Sequence, residues 1–285
     1  MSAAVAADAA ASASRGGAAD AAVGDLDADL ERRFGGLRRL YGDAAYLRIR
    51  AARIAVVGVG GVGSWTAEAL ARSGVAALTL IDLDHVAESN VNRQVQALGS
   101  TLGMAKVEAL RARIADIHPG CVVHAVEEFA DAANWPGLLP AAVDAVVDAC
   151  DQGRAKAAIA AWALAARVPL VTVGAAGGKR SPERVEVADL ATATHDPVLA
   201  ALRQRLRKFH GAAKSGAIGI TCVFSREPVV LPAGESEGCD IDGTLNCHGY
   251  GSSVGVTATF GLVAATRALE SAALAAYRAS LHAPL

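Results

Sequence analysis

A chain of 285 residues with 53% hydrophobic and 20% charged residues can bury a large core, as one extended domain or two small ones. Its formal net charge of -2 excludes a global nucleic-acid signature, so any RNA contact must come from local basic patches. Five widely spaced cysteines (Cys121, Cys150, Cys222, Cys239, Cys247) without a C-x-x-C pair argue against a disulfide framework and a zinc site, and fit a reducing compartment.

In chain order, Met1 to about Leu26 is alanine-rich, lacks the runs of a secretory signal, and reads as a disordered extension. A short helix ending near Arg48 precedes Arg53-Ile-Ala-Val-Val-Gly58, a compact apolar run that suits a parallel strand buried on both faces. Ser64 to Arg72 predicts a helix stopped by Ser73-Gly74. A strand at Ala77–Ile81 ends on Asp82, and a helix over Met104–Ile117 is stopped by His118-Pro119-Gly120. Strands at Val122–Val126 and Ala145–Asp148, a helix at Arg154–Ala166 and a strand at Pro169–Val173 continue the alternation. The pattern predicts an α/β, Rossmann-like doubly wound and mainly parallel sheet.

After Gly178 the rhythm changes. Val185–Val187 and Gly219–Val223 are short strand candidates on either side of a helix near Val198–His210, and Gly255–Ala279 closes with helix. Glycine-rich Ala233–Gly255 reads as a mobile loop. The apolar run Val254–Ala265 is too short to span a bilayer. The expected organisation is therefore an extension over 1–26, a nucleotide-binding core over 27–178, and a smaller C-terminal portion of the same globular unit over 179–285.

Between the first strand and its helix lies Gly58-Val59-Gly60-Gly61-Val62-Gly63. Without Cβ atoms such a loop turns sharply and brings backbone N–H groups close to phosphates, at the positive end of a helix dipole. Asp82, at the end of the next strand, can accept hydrogen bonds from ribose hydroxyls. These features fit NAD as well as ATP. The choice comes from the following segment, Asp82-Leu-Asp84-His-Val-Ala-Glu-Ser89-Asn90-Val-Asn92-Arg93-Gln94, and then Gly103-Met-Ala-Lys106. Arg93 and Lys106 can neutralise phosphate oxygens as charge builds on a departing pyrophosphate. Asp151, beyond another strand end in Asp148-Ala-Cys150-Asp151, could hold magnesium or orient the nucleotide.

This combination resembles the ThiF/MoeB superfamily, the bacterial relatives of ubiquitin-activating enzymes, over roughly Arg32 to Ala279. The resemblance implies that Gly58, Gly60, Gly61 and Gly63 with Asp82, Asp84, Asn90, Arg93, Lys106 and Asp151 bind ATP and its magnesium. Members that activate ubiquitin-like proteins usually carry two C-x-x-C zinc pairs, which this chain lacks. Other segments resemble the branch of tRNA threonylcarbamoyladenosine dehydratases: Arg32-Arg-Phe-Gly-Gly-Leu-Arg-Arg-Leu-Tyr41-Gly42, Gly61-Val-Gly-Ser-Trp65, Pro169-Leu-Val-Thr-Val-Gly174-Ala-Ala-Gly177-Gly178, Cys222-Val-Phe-Ser225 and Val256-Thr-Ala-Thr-Phe260-Gly261.

The branch implies a reaction in cytoplasmic tRNA. A carboxylate has no usable leaving group, and adenylation by ATP supplies one. The neighbouring carbamoyl group then attacks within the same molecule, where proximity replaces much of the entropic cost. It also implies a homodimer, allows a monovalent cation, and raises a cysteine desulfurase/sulfur-acceptor system as a partner. Relatives send an N-terminal arginine across the dimer interface, for which Arg33, Arg38 and Arg39 are candidates, although glycines replace part of that motif.

Cys247, in Asn246-Cys247-His248-Gly249, sits where the family tends to have cysteine and could capture an acyl adenylate, or be a small structural thiol. Leu199, Leu202, Leu206 and Phe209 would form one apolar stripe, leaving Arg203, Arg205, Arg207 and Lys208, with Lys214 beyond, as a solvated face or a tRNA-backbone surface. Lys179, Arg180 and Arg184 could extend it. His85 and His118 read as ordinary loop residues, and Trp65 as packing against the sheet. The competing readings are adenylation of the C-terminus of a ubiquitin-like sulfur carrier protein, an NAD-dependent dehydrogenase and a non-catalytic nucleotide-binding scaffold.

Overall fold

The computed structural model describes residues 29–229 and 250–273. Two compact units are distinguished, Met1–Tyr46 and Leu47–Leu285. Residues 29–41 form helix α1, and Gly42 at φ +79° separates it from helix α2, Asp43–Ala51. The short helix expected to end near Arg48 is α2, and α1 before it had no signal in the sequence; Gly42 parts the two because a backbone at positive φ cannot continue an α-helix. Arg38 pairs with Glu31 at 3.0 Å and with Asp43, and its guanidinium lies 4.5 Å from the centre of the Tyr46 ring.

The second unit is built on a seven-stranded sheet. Its strands are β1 (Arg53–Val57), β2 (Ala77–Ile81), β3 (Val122–Val126), β4 (Ala145–Asp148), β5 (Leu170–Val173), β6 (Val185–Asp189) and β7 (Thr221–Ser225), in the order β3-β2-β1-β4-β5-β7-β6. All neighbours are parallel except β6 and β7. β1 and β4 carry buried apolar side chains at successive positions, as strands covered on both faces must. β3 and β6 are the two edge strands and are less buried throughout.

Helices α3 (Gly63–Arg72), α4 (Lys106–Ile117) and α7 (Val254–Ala272) cover one face, while α5 (Gly153–Ala166) and α6 (Pro197–Phe209) pack together beside the other. The alanines of α5, among them Ala157, Ala160 and Ala163, let that helix approach the core that Val146, Leu202, Leu206 and Phe224 also build. On the opposite face α3 and α7 cross closely. A Cβ on Gly261 would come within 2.8 Å of the Trp65 Cβ, and Thr66 Oγ1 donates to the Gly261 carbonyl at 3.1 Å.

Burial separates two side chains from their sequence neighbours. His118 lies in the loop after α4, as expected, and the turn folds it inward, where it is buried with Nε2 3.2 Å from Arg50 Nη1. Phe209 is 65% exposed although Leu199, Leu202 and Leu206 are buried: helical spacing selects a face but carries no information on where the covering layer stops. Among the described residues no helix is long and apolar enough to cross a membrane.

Candidate active site

Sheet register sets the site. Val57 is level with Ile81 on one side and with Asp148 on the other, so the chain leaves three adjacent strands at the same edge. From β1 the chain order runs outward to β2 and β3 on one side, and β4 starts the other half of the sheet. This is the topological switch point, where open α/β sheets bind ligands beyond the carboxyl ends of their strands.

The glycine loop follows β1 there. Gly58 has φ +79°, and a Cβ on it would lie 2.9 Å from both the N and Cα of Cys150. A Cβ on Gly63, at the start of α3, would run into the Gly58 carbonyl. Only glycine therefore closes this turn. Gly61 faces Arg93 and Thr257 closely, and Gly60 has Gln94 nearby.

Asp82 is the hinge of the loop. Its Oδ2 accepts from the Val59 N–H at 2.7 Å and its Oδ1 from the Asp84 N–H at 2.9 Å. Burial pushes its carboxyl above the ordinary range, opposed by Lys106 and by those two N–H groups. Lys106, itself buried, reaches Asp84 Oδ2 at 2.6 Å and stands 4.0 Å from Asp82 Oδ1. One lone pair on each Asp82 oxygen is thus committed to backbone, Oδ2 to the loop and Oδ1 to Asp84, and the half-exposed Asp84 is the more open carboxylate.

Gly58, Gly60, Gly61, Asp82, Asp84, Arg93, Lys106 and Asp151 all line one cleft. Gly63 is buried behind it as part of the turn, and Asn90 is buried with Oδ1 accepting from the Ala87 N–H at 3.2 Å, so it shapes the connection that carries Arg93. Arg93 Nη1 donates to the Ser89 carbonyl at 2.6 Å, and the Arg93 carbonyl accepts from Trp65 Nε1 at 3.0 Å. Trp65 therefore anchors the Arg93 backbone. Cys247 lies outside the described residues.

Several lining residues carried no signal in the sequence. Gln94 lines the cleft, and the buried Gln96 donates to it and to the Val59 carbonyl at 3.1 and 3.0 Å. Phe129 and Lys156 also line it. Glutamine, phenylalanine and a lysine inside a helix occur everywhere in proteins, and only the sheet order collects these four.

The basic residues of α6 divide. Arg203 Nη1 donates to the carbonyls of Leu190 and Ala193 at 3.0 and 2.7 Å, tying down the β6–α6 connection, and Arg207 Nε donates to the Ala213 carbonyl at 3.0 Å. Arg205, Lys208 and Lys214 are exposed, and Lys208 Nζ lies 4.9 Å from the centre of the Phe209 ring. Lys179 is no part of such a surface. It is buried, its Nζ donates to the carbonyls of Ser225 and Glu227 at 3.0 and 2.9 Å, and burial lowers its pKa.

The model of the ThiF family matches residues 35–279. The chain belongs to the ThiF family. Over 248 residues this ThiF-family chain is 44% identical to the tRNA threonylcarbamoyladenosine dehydratase of Escherichia coli (strain K12), covering 84% of this chain and 92% of that one. It is 40% identical over 243 residues to the enzyme of the same description from Haemophilus influenzae, covering 84% and 93%. Among solved structures it is similar to E. coli tRNA N6-threonylcarbamoyladenosine dehydratase, TcdA, in complex with ATP, with a TM-score of 0.78, 42% identity, and coverage of 87% and 96%.

Proposed function

We propose that this chain is an ATP-dependent dehydratase that closes threonylcarbamoyladenosine in tRNA into a cyclic form. The observation that carries the reading is the gathering of the glycine loop, Arg93, Lys106 and Asp151 in one cleft, in a chain that resembles an ATP-bound dehydratase over nearly its whole length.

The cleft fits a nucleoside triphosphate. Gly58 and Gly63 leave the loop backbone bare at the head of α3, where N–H groups and the helix dipole meet anions. Arg93 and Lys106 supply positive charge to the phosphates, and Asp82 and Asp84 offer acceptors for ribose hydroxyls. Among the described residues no cluster of three or more metal-ligating side chains exists. A single carboxylate at Asp151 suits magnesium, which keeps most of its shell from water and substrate phosphates.

In this reading Arg93 and Lys106 stabilise charge as the substrate carboxylate attacks the α-phosphorus and pyrophosphate leaves. The carbamoyl group then displaces AMP within the same molecule, and the net change is loss of water. Arg205, Lys208 and Lys214, with Phe209 offering a face for a base, form the tRNA surface, with Arg203 and Arg207 serving as its supports. The first turn of α6 lines the cleft through Val198, and Phe209 lies eleven residues further along, about 16 Å at the helical rise. A homodimer, a monovalent cation, a sulfur-acceptor partner and a cytoplasmic setting belong to this reading through the family resemblance.

The test is mass analysis of nucleosides from tRNA incubated with the protein and magnesium-ATP. Threonylcarbamoyladenosine lighter by one water, absent with Asp151→Ala, supports the reading. Unchanged nucleosides beside ATP–pyrophosphate exchange that needs a ubiquitin-like protein would overturn it.

A further inference from the structure

Beneath the cleft lies a buried ionic cluster that nucleotide binding alone leaves without a task. Asp148 ends β4, Lys156 lies in the first turns of α5, and their side chains are 0% and 2% exposed. An ammonium has three donors, and Lys156 has three acceptors around it. These are Asp148 Oδ2 at 3.1 Å, the Asp148 carbonyl at 3.3 Å and Thr172 Oγ1 at 3.2 Å. The Thr172 hydroxyl in turn donates to Asp148 Oδ2 at 2.8 Å. Although Lys156 lines the cleft, no N–H remains for a substrate, so any influence it has on the reaction must pass through Asp148.

That route leads back to the phosphate loop. The second oxygen of Asp148, Oδ1, accepts from the Cys150 N–H at 3.2 Å and from Cys150 Sγ at 3.0 Å. Cys150 is the residue whose backbone presses against Gly58, and the next residue is Asp151 at the cleft wall. Burial and the Asp148 charge push the Cys150 thiol well above its ordinary range, which keeps it a donor in this bond. Burial also opposes the charge on Lys156, but Asp148 outweighs it and the net shift is upward. A buried pair of this kind is often matched or bettered in stability by apolar residues of similar volume. Its presence under the site calls for a role other than stability.

We propose that Lys156 is a positioning residue: through Asp148 it holds the Ala149–Asp151 turn against Gly58 and thereby sets where the Asp151 carboxylate meets the metal-bound nucleotide. The proposal rests on the nucleotide reading above. A purely structural pair would affect folding and leave magnesium dependence alone, whereas a positioning pair moves magnesium dependence even where folding is intact.

The experiment compares wild type with the double variant Asp148→Asn/Lys156→Met, which leaves no uncompensated buried charge, and with the milder Thr172→Val, which removes one acceptor of the ammonium. ATP binding is measured by calorimetry with and without magnesium, beside thermal unfolding and turnover of tRNA. The expected result for the double variant is a roughly tenfold rise in the magnesium concentration that half-saturates ATP binding, with metal-free ATP binding unchanged and kcat lowered by about the same factor. Thr172→Val should shift the same parameter about threefold while unfolding near the wild-type temperature. In an Asp151→Ala background neither set of substitutions should shift the magnesium dependence further, since both act through that one carboxylate. Variants that fold and keep wild-type magnesium dependence overturn the proposal. A Thr172→Val protein with no shift overturns it even if the double variant does not fold. A wild-type protein that fails to bind magnesium-ATP sinks instead the nucleotide reading on which it rests.

Discussion

The backbone N–H of Val59 donates to the carboxylate of Asp82 across 2.7 Å, tying the loop after β1 to the end of β2. The bond makes Asp82 part of the glycine loop's scaffold as well as of the cleft lining. Lys106 stands behind it, buried and paired to Asp84, so loop, carboxylates and ammonium are one electrostatic unit.

Replacing Asp82 by alanine therefore has two expected effects. The buried Val59 N–H loses its partner, which costs about 1–3 kcal/mol of folding stability. ATP affinity should fall at least tenfold, because the loop loses its anchor along with the ribose acceptor. Urea unfolding and calorimetric titration with ATP check the two separately. A stable variant with undiminished ATP affinity would remove Asp82 from the site.

Gly58→Ala tests the turn itself. The new Cβ would sit 2.9 Å from the backbone of Cys150 in a residue at φ +79°, and neither obstacle is a flexible side-chain end. The expected strain is about 1–3 kcal/mol, and ATP binding should be lost or weakened more than tenfold. Gly42→Ala is the control for positive φ without crowding, as nothing stands within 4 Å of its added Cβ. It should perturb stability and leave ATP binding unchanged.

The two kinds of arginine on α6 should separate cleanly. Arg203→Ala removes bonds to two carbonyls and should lower the unfolding temperature, measured by calorimetry. Arg205→Ala, on an exposed side chain, should leave the unfolding temperature unchanged. It should weaken tRNA binding and reduce the slope of log affinity against log salt by about one. Identical behaviour of the two variants in both assays would contradict the assignment of α6 to tRNA.

Asp189 gives a pH dependence with a definite sign. Its carboxylate accepts from the N–H groups of Ala191, Ile218 and Gly219 at 2.8, 2.8 and 2.7 Å. Burial acts to raise its pKa, but these bonds outweigh it and the folded value lies below the unfolded 3.8. The stabilisation is therefore complete above the unfolded value and is lost as pH falls through the folded one. Asp189→Asn should cost about 1–3 kcal/mol at pH 7, measured by urea unfolding, with the gap to wild type narrowing below about pH 4. A gap independent of pH would show that the charge is not what the three N–H groups recognise.

Much of this was legible in the chain. Strands β1, β2, β4 and β5 announce themselves as short apolar runs that end in or at a glycine or aspartate, because a strand covered on both faces must be nearly apolar throughout. Gly58, Gly60 and Gly61, Asp82, Arg93, Lys106 and Asp151 could be named as candidates from spacing and residue type, and the structure brings them into one cleft. The exposure of Phe209 at the end of its apolar stripe and the burial of His118 in its loop were not legible, since periodicity reports a face and says nothing of what lies opposite it. Lys156 and Gln96 had no signal, being polar residues whose partners are eight and thirty-seven positions away in sequence.

By itself, then, the sequence determined the alternation of strands and helices, the place of the phosphate loop and the membership of the ThiF family, because these depend on local pattern and on motifs in fixed order. The tertiary structure alone decided which polar groups are spent on the scaffold. Asp148 and Lys156 neutralise one another under the cleft, Lys179 holds two carbonyls, and Arg203 ties down a connection, all because burial forces each charge to find a partner wherever the fold supplies one. What remains facing the cleft is set by that accounting. Asp82 belongs to both groups: Oδ2 holds the glycine loop through Val59, Oδ1 holds the Asp84 N–H, and the carboxylate still lines the cleft.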